Sequence, residues 1–239
     1  MLLSVLSGGD LRSAVIQLLL LLPVIMFSLA LHETAHGYVA YKCGDPTAYN
    51  LGRLTLNPIK HLDPIGFLCM LIFGYGWAKP VPINTRNFRD PKKGMAWSAV
   101  AGPAANLLLG VVSAALFAFF YVLFLRVQVT GGSAFLINAC YYTAVLFQLS
   151  AMLNFVFMIF NMIPVPPFDG SRFALAFLPP RAYFGIMKYE RQIMFGLLIA
   201  LLVIEQFFSF SPFSWLANKL LTWIANPLIN VLAKFMLSI

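Results

Sequence analysis

The sequence predicts an all-α polytopic membrane protein: a bundle of about four to six transmembrane helices with a small re-entrant or β element on the cytoplasmic side. Composition is the first reason. Of 239 residues 61% are apolar and only 10% charged, against about 25% charged in an ordinary soluble domain. The second reason is layout, with long apolar runs broken by short polar connections. The third is the placement of charge. Residues 42–93 carry Lys42, Arg53, Lys60, Lys79, Arg86, Arg89, Lys92 and Lys93, half of the 16 cationic residues. Cation-rich loops stay on the cytoplasmic side, so the first span runs from outside to inside.

The length fits one integral membrane domain over residues 1–239, with its motifs within 11–190 and additional membrane segments over 191–239. The net charge of +8 does not point to nucleic acid, because the cations flank apolar spans. They read as topology signals and as contacts with anionic lipid. Cys43, Cys69 and Cys140 are scattered, with no C-x-x-C, and read as small apolar fillers or unpaired thiols.

The first helix is expected from about Leu11 to Tyr41, with a kink at Pro23 and an end at Gly44-Asp45-Pro46. Its apolar run continues through a polar motif, so it reads as an uncleaved span rather than a leader. In the loop that follows, Arg53 to Asn57 alternates polar and apolar residues at the strand period. The stretch from Trp77 to Asn84 contains Pro80 and Pro82, which suit only a sheet edge. Between them the apolar run Ile65–Ala78 is too short to span and reads as re-entrant. Further spans are expected at about 94–126, 133–162 and 192–208. The final stretch, about 212–239, is interrupted by Pro227 and fits either a span or a surface-lying helix.

The candidate chemistry lies in His32-Glu33-Thr34-Ala35-His36. Ionisable groups inside an apolar run are costly and are usually kept for function. Positions i and i+4 share a helix face, so His32 and His36 can grip one metal ion. Glu33 then stands where it can act on a metal-held water, the H-E-x-x-H zinc-hydrolase pattern. With three histidines in the chain, such a match arises by chance about once in 2,000 sequences of this composition. A hydrolytic zinc takes three protein ligands and keeps one position open. The third ligand is either His61, in a polar turn beside Asp63-Pro64, or Asp169. Asp169 is favoured, because the 133–162 span delivers it to the depth of the histidines on the unwound run Pro164-Val165-Pro166-Pro167.

At these residues the chain resembles the site-2 protease family of intramembrane zinc metalloproteases. The resemblance lies in the H-E-x-x-H motif, in Ala101-Gly102-Pro103-x-x-Asn106, and in Asn161 through Phe168-Asp169-Gly170, where the family usually has Leu-Asp-Gly. It covers about residues 11–190 and looks closest to minimal bacterial members without PDZ or CBS domains. It implies one Zn2+ per chain on His32, His36 and Asp169, with Glu33 as catalyst. It also implies cleavage of peptide bonds in or near transmembrane helices of membrane-protein substrates, in a bacterial inner membrane, while the cations of 42–93 put the active site toward the cytoplasm. Asn106 or Asn161 could add an oxyanion or substrate contact, or could simply bond helix to helix. Val81 and Ile83 offer a candidate edge for an unwound substrate strand, or part of a structural hairpin. The competing function is a transporter or metal-ion carrier with the His/Asp cluster as a transit site. Such carriers usually show paired halves with matching broken helices, and no echo of either motif is present. The sequence leaves the oligomeric state open.

Overall fold

The computed structural model describes residues 11–73, 78–175 and 212–237, with scattered positions between 177 and 200. Among the described residues three helices are long and apolar enough to cross a membrane. The first, α1, covers Leu11–Lys42. It ends because Gly44 adopts φ +112, a conformation that favours glycine. The Gly44 N–H then bonds the Tyr41 carbonyl and the Asp45 N–H the Ala40 carbonyl, which satisfies the last turn.

Short elements follow: α2 at Thr47–Asn50, a 3₁₀ turn at Pro58–His61, α3 at Pro64–Phe73 and a 3₁₀ turn at Thr85–Asn87. The Asn57, Asp63 and Asn84 side chains cap three of these by accepting from Ile59, Gly66 and Arg86 N–H groups. The strand period expected at 53–57 produces no strand. The only pairing among the described residues of this loop is an isolated antiparallel bridge, Leu62 to Ala78. The reason is local: the Thr55 carbonyl accepts instead from the Thr34 hydroxyl and the His61 ring, and Pro58, Pro80 and Pro82 cannot donate to a ladder. Helix α3 occupies most of the expected re-entrant run, while residues 74–77 lie outside the described ones.

The second long helix, α4, covers Pro91–Val129. It opens with Asp90 accepting from the Lys93 N–H and with proline at its first position. It closes on Gly131 at φ +68. The third, α5, covers Ala134–Asn161. The short α6, Asp169–Leu175, follows the proline-rich turn. The last, α7, covers Pro212–Met236 and runs on through Pro227, contrary to the expected interruption. Ile224, Ala225 and Ile229 pack on both sides of that proline, which holds the helix together despite one missing N–H. The span expected at 192–208 falls largely outside the described residues.

Two compact units result, one from residues 1–105 and 161–197, the other from 106–160 and 198–239. The second is a helix-packing unit. Ala114 and Ala118 of α4, Ala151 and Phe155 of α5, and Ala217, Leu221 and Ala225 of α7 form its core. Asn106 donates to Asn154 at 2.8 Å and Ser113 bonds Ser150 at 2.8 Å. Small residues and interhelical polar bonds replace the hydrophobic driving force that lipid does not supply. The first unit holds every H-E-x-x-H residue and Asp169.

Candidate metal centre

The site is built entirely within the first unit. On α1, His32 and His36 sit one turn apart and bring their Nε2 atoms to 3.0 Å. Both are buried. Asp169 is the first residue of α6, and its Oδ2 lies 3.1 Å from each Nε2. One donor atom from each residue thus falls within 4.8 Å of the others, although Asp169 stands 133 positions from His36.

Two details of backbone packing make this meeting possible. A Cβ on Gly170 would lie 2.7 Å from the Ile163 carbonyl oxygen and closer still to that of Met162. Only glycine lets the start of α6 press so tightly on the turn that precedes it. A Cβ on Gly102 of α4 would lie 2.6 Å from His32 Cε1 and closer still to His36 Nε2. Gly102 therefore keeps open the space beside the two imidazoles. The Ser98 carbonyl, one turn earlier on α4, accepts from His36 Nδ1–H at 2.7 Å. That bond fixes the tautomer that turns the Nε2 lone pair toward Asp169.

This donor set fits a zinc ion. Two neutral imidazole nitrogens and one carboxylate oxygen are the ligands of many hydrolytic zinc sites. Tetrahedral ligands at about 2.0–2.2 Å from zinc stand roughly 3.4 Å apart, so the cluster needs to open by only a few tenths of an ångström.

Glu33 is half-buried. Its Oε2 accepts the main-chain N–H of Val81 at 2.8 Å. The next motif residue, Thr34, donates its hydroxyl to the Thr55 carbonyl at 2.7 Å. Both extended pieces of the 42–93 loop thus bond to the metal-motif helix itself. His61 is buried and donates from Nε2 to the Thr55 carbonyl at 2.8 Å. It is not in the group around Asp169.

The other singled-out residues fall elsewhere. Asn106 is buried in the helix-packing unit, bonded to Asn154. Asn161 ends α5. Val81 is buried and Ile83 half-buried, in no strand. Sequence reasoning missed Ser98, Gly102 and the Val81–Glu33 bond. Gly102 lies inside a motif already noted, and only its role as a packing residue was expected. Ser98 acts through its carbonyl, which every residue has, so its identity carried no signal.

Residues 20–204 match the family model for peptidase family M50. The chain is 41% identical over 158 residues to the protein of Bacillus subtilis strain 168 named "Putative zinc metalloprotease YwhC", across 65% of this chain and 68% of that one. Rip2 of Mycolicibacterium smegmatis, named as the same kind of enzyme, is 29% identical over 151 residues. Rip2 of Mycobacterium tuberculosis H37Rv is 28% identical over 153. The match spans about half the length of the Rip2 proteins, 52% of each. No solved structure matches the chain at a significant level.

Proposed function

The chain belongs to peptidase family M50 and is an intramembrane zinc metalloprotease, and on that premise we propose that His32, His36 and Asp169 hold the zinc and that Glu33 is its catalytic carboxylate. The observation that carries this reading is the convergence of two imidazole nitrogens and one carboxylate oxygen from distant parts of the chain. When bound there, zinc supplies a Lewis acid for the scissile carbonyl and lowers the pKa of water toward about 7.

The protein's own groups do the rest. Glu33 takes the proton from the attacking water and passes it to the leaving amine. The Ser98 carbonyl holds His36 in the ligating tautomer. Gly102 keeps side-chain bulk away from the reacting space. Asn106 we assign to helix packing, because its amide bonds Asn154. Asn161, which ends α5 eight residues before Asp169, is kept as the candidate oxyanion contact.

The substrates are membrane proteins cut in or near a transmembrane helix. Such a helix hides its peptide bonds in its own hydrogen bonds and must unwind locally. An unwound strand could run beside the 79–84 segment, meeting Ile83 and the segment's carbonyls. The enzyme resides in a bacterial inner membrane, with four to six spans in all by the hydropathy of its sequence and its active site toward the cytoplasm, as the cations of 42–93 suggest.

The test uses purified protein, a single-pass membrane substrate and Glu33→Gln beside wild type. Wild type should cut, and a chelator should stop it. Glu33→Gln should keep one zinc per chain and lose about 10²- to 10⁴-fold in turnover. Zinc-independent cleavage, or unimpaired cleavage by Glu33→Gln, would contradict the reading.

A further inference from the structure

The segment 78–84 forms a strap whose construction goes beyond closing a loop. Pro80 and Pro82 have no N–H, so Val81 supplies the single N–H between Lys79 and Ile83. That N–H is donated to Glu33 Oε2. The strap is tied on both sides of it. Upstream, the Lys79 N–H bonds the His61 carbonyl at 2.9 Å, and the Arg53 guanidinium donates to the carbonyls of Lys79 at 2.9 Å and Pro80 at 3.3 Å. Downstream, the Asn84 N–H bonds the Asp45 carboxylate at 2.7 Å. Asp45 is itself buried at the end of α1, where it also accepts from Thr47 and Asn87. The Val81 side chain is buried against Gly37, where a Cβ would stand 2.9 Å from Val81 Cγ1. Two ring-locked residues, four hydrogen-bonded ties and one buried side chain leave the Val81 N–H little freedom to point elsewhere.

We propose that the main-chain N–H of Val81 is a positioning group for Glu33. It holds Oε2 and so fixes the carboxylate's orientation, leaving Oε1 to take the proton from water. A carboxylate on a flexible side chain samples several rotamers, and general-base catalysis needs it within hydrogen-bond reach of one proton. A main-chain donor clamped at both ends selects one rotamer without adding a charge. Because the partner is a backbone atom, the identity of residue 81 matters mainly through its N–H and its fit against Gly37. This inference rests on Glu33 being the catalytic carboxylate.

The test replaces Val81 with its α-hydroxy acid analogue in the full-length, zinc-loaded protein. The Pro80–Val81 amide becomes an ester: the Val81 N–H is lost, and the Pro80 carbonyl becomes a weaker acceptor for Arg53, a change that the hydrogen-exchange measurement below does not share. Turnover on a single-pass substrate should fall about tenfold or more, the scale of one hydrogen bond to a charged group, with KM and the zinc content unchanged. A second measurement needs no activity. In zinc-free protein, Glu33→Ala should speed hydrogen exchange of the Val81 amide by about tenfold or more, while the Lys79 and Asn84 amides exchange as before. Wild-type turnover in the ester variant, or Val81 exchange unmoved by Glu33→Ala, would overturn the proposal. Wild-type cleavage by Glu33→Gln would remove the assignment of Glu33 and this proposal with it. A dead Glu33→Gln beside a fully active ester would remove the positioning role alone.

Discussion

Gly102 and Gly110 lie two turns apart on the same helix, α4, yet their missing side chains serve different neighbours. Gly102 leaves its space to the imidazoles of His32 and His36. Gly110 leaves its space to the ring of Phe155, which a Cβ would meet at 2.6 Å. The units that contain them differ in part. In the unit of residues 1–105 and 161–197, some close approaches hold polar groups, Gly102 against the histidines and Gly170 against two carbonyls, while Gly37 and Gly94 meet the apolar side chains of Leu54, Val81 and Phe88. In the unit of residues 106–160 and 198–239, they serve helix packing: alanines at 114, 118, 151, 217 and 225, tied by Asn106–Asn154 and Ser113–Ser150. Small residues on membrane helices mark close contact, but the residue type does not say whether the contact holds chemistry or another helix.

Exchanging glycine for alanine at the two positions tests this contrast hardest. Gly102→Ala should drive the imidazoles apart, so the variant should lose most of its zinc, measured by metal analysis, and with it cleavage. Gly110→Ala should keep its zinc and lose about 1–3 kcal/mol of stability to overpacking against Phe155, read from denaturant titration in detergent. Zinc loss in Gly110→Ala, or full zinc in Gly102→Ala, would erase the distinction. Asn106→Ala should have a smaller effect, about 1 kcal/mol of stability with zinc retained, checked by the same titration.

The smallest expected effect concerns acid. Burial would raise the Asp45 carboxyl, but hydrogen bonds from Thr47, Asn87 and Asn84 more than offset this and hold it below its ordinary value of 3.8. A lowered folded-state pKa means that Asp45 stabilises the loop fully above that value and progressively less as pH falls through the lower one. The difference in melting temperature between wild type and Asp45→Asn should be constant near neutrality and shrink below about pH 4. A difference that widens toward acid would contradict the hydrogen-bonded carboxylate.

The long helices were legible because apolar runs bounded by charge and glycine leave few alternatives in lipid. The expected 94–126 and 133–162 lie within a few residues of Pro91–Val129 and Ala134–Asn161. The histidine pair was legible because i, i+4 spacing is geometry written in sequence. Asp169 was expected from topology, at the end of a span read as returning to the side of the histidines, and its Oδ2 lies 3.1 Å from both Nε2 atoms. The loop was not legible. Its polar and apolar alternation suggested strands, but its hydrogen bonds go to Thr34, Glu33 and Asp45 rather than to a ladder. Contacts made by main-chain N–H and carbonyl groups leave no mark on residue identity, and the Val81 and Ser98 bonds are of that kind.

The most direct test compares bound zinc in wild type, Asp169→Ala and His61→Ala, each purified at neutral pH and measured by metal analysis. Wild type and His61→Ala should each hold one zinc per chain, and Asp169→Ala should lose it at chelator concentrations that leave wild type loaded. Asp169→Ala retaining zinc as tightly as wild type, with His61→Ala losing it, would place the third ligand elsewhere and contradict the assembled site.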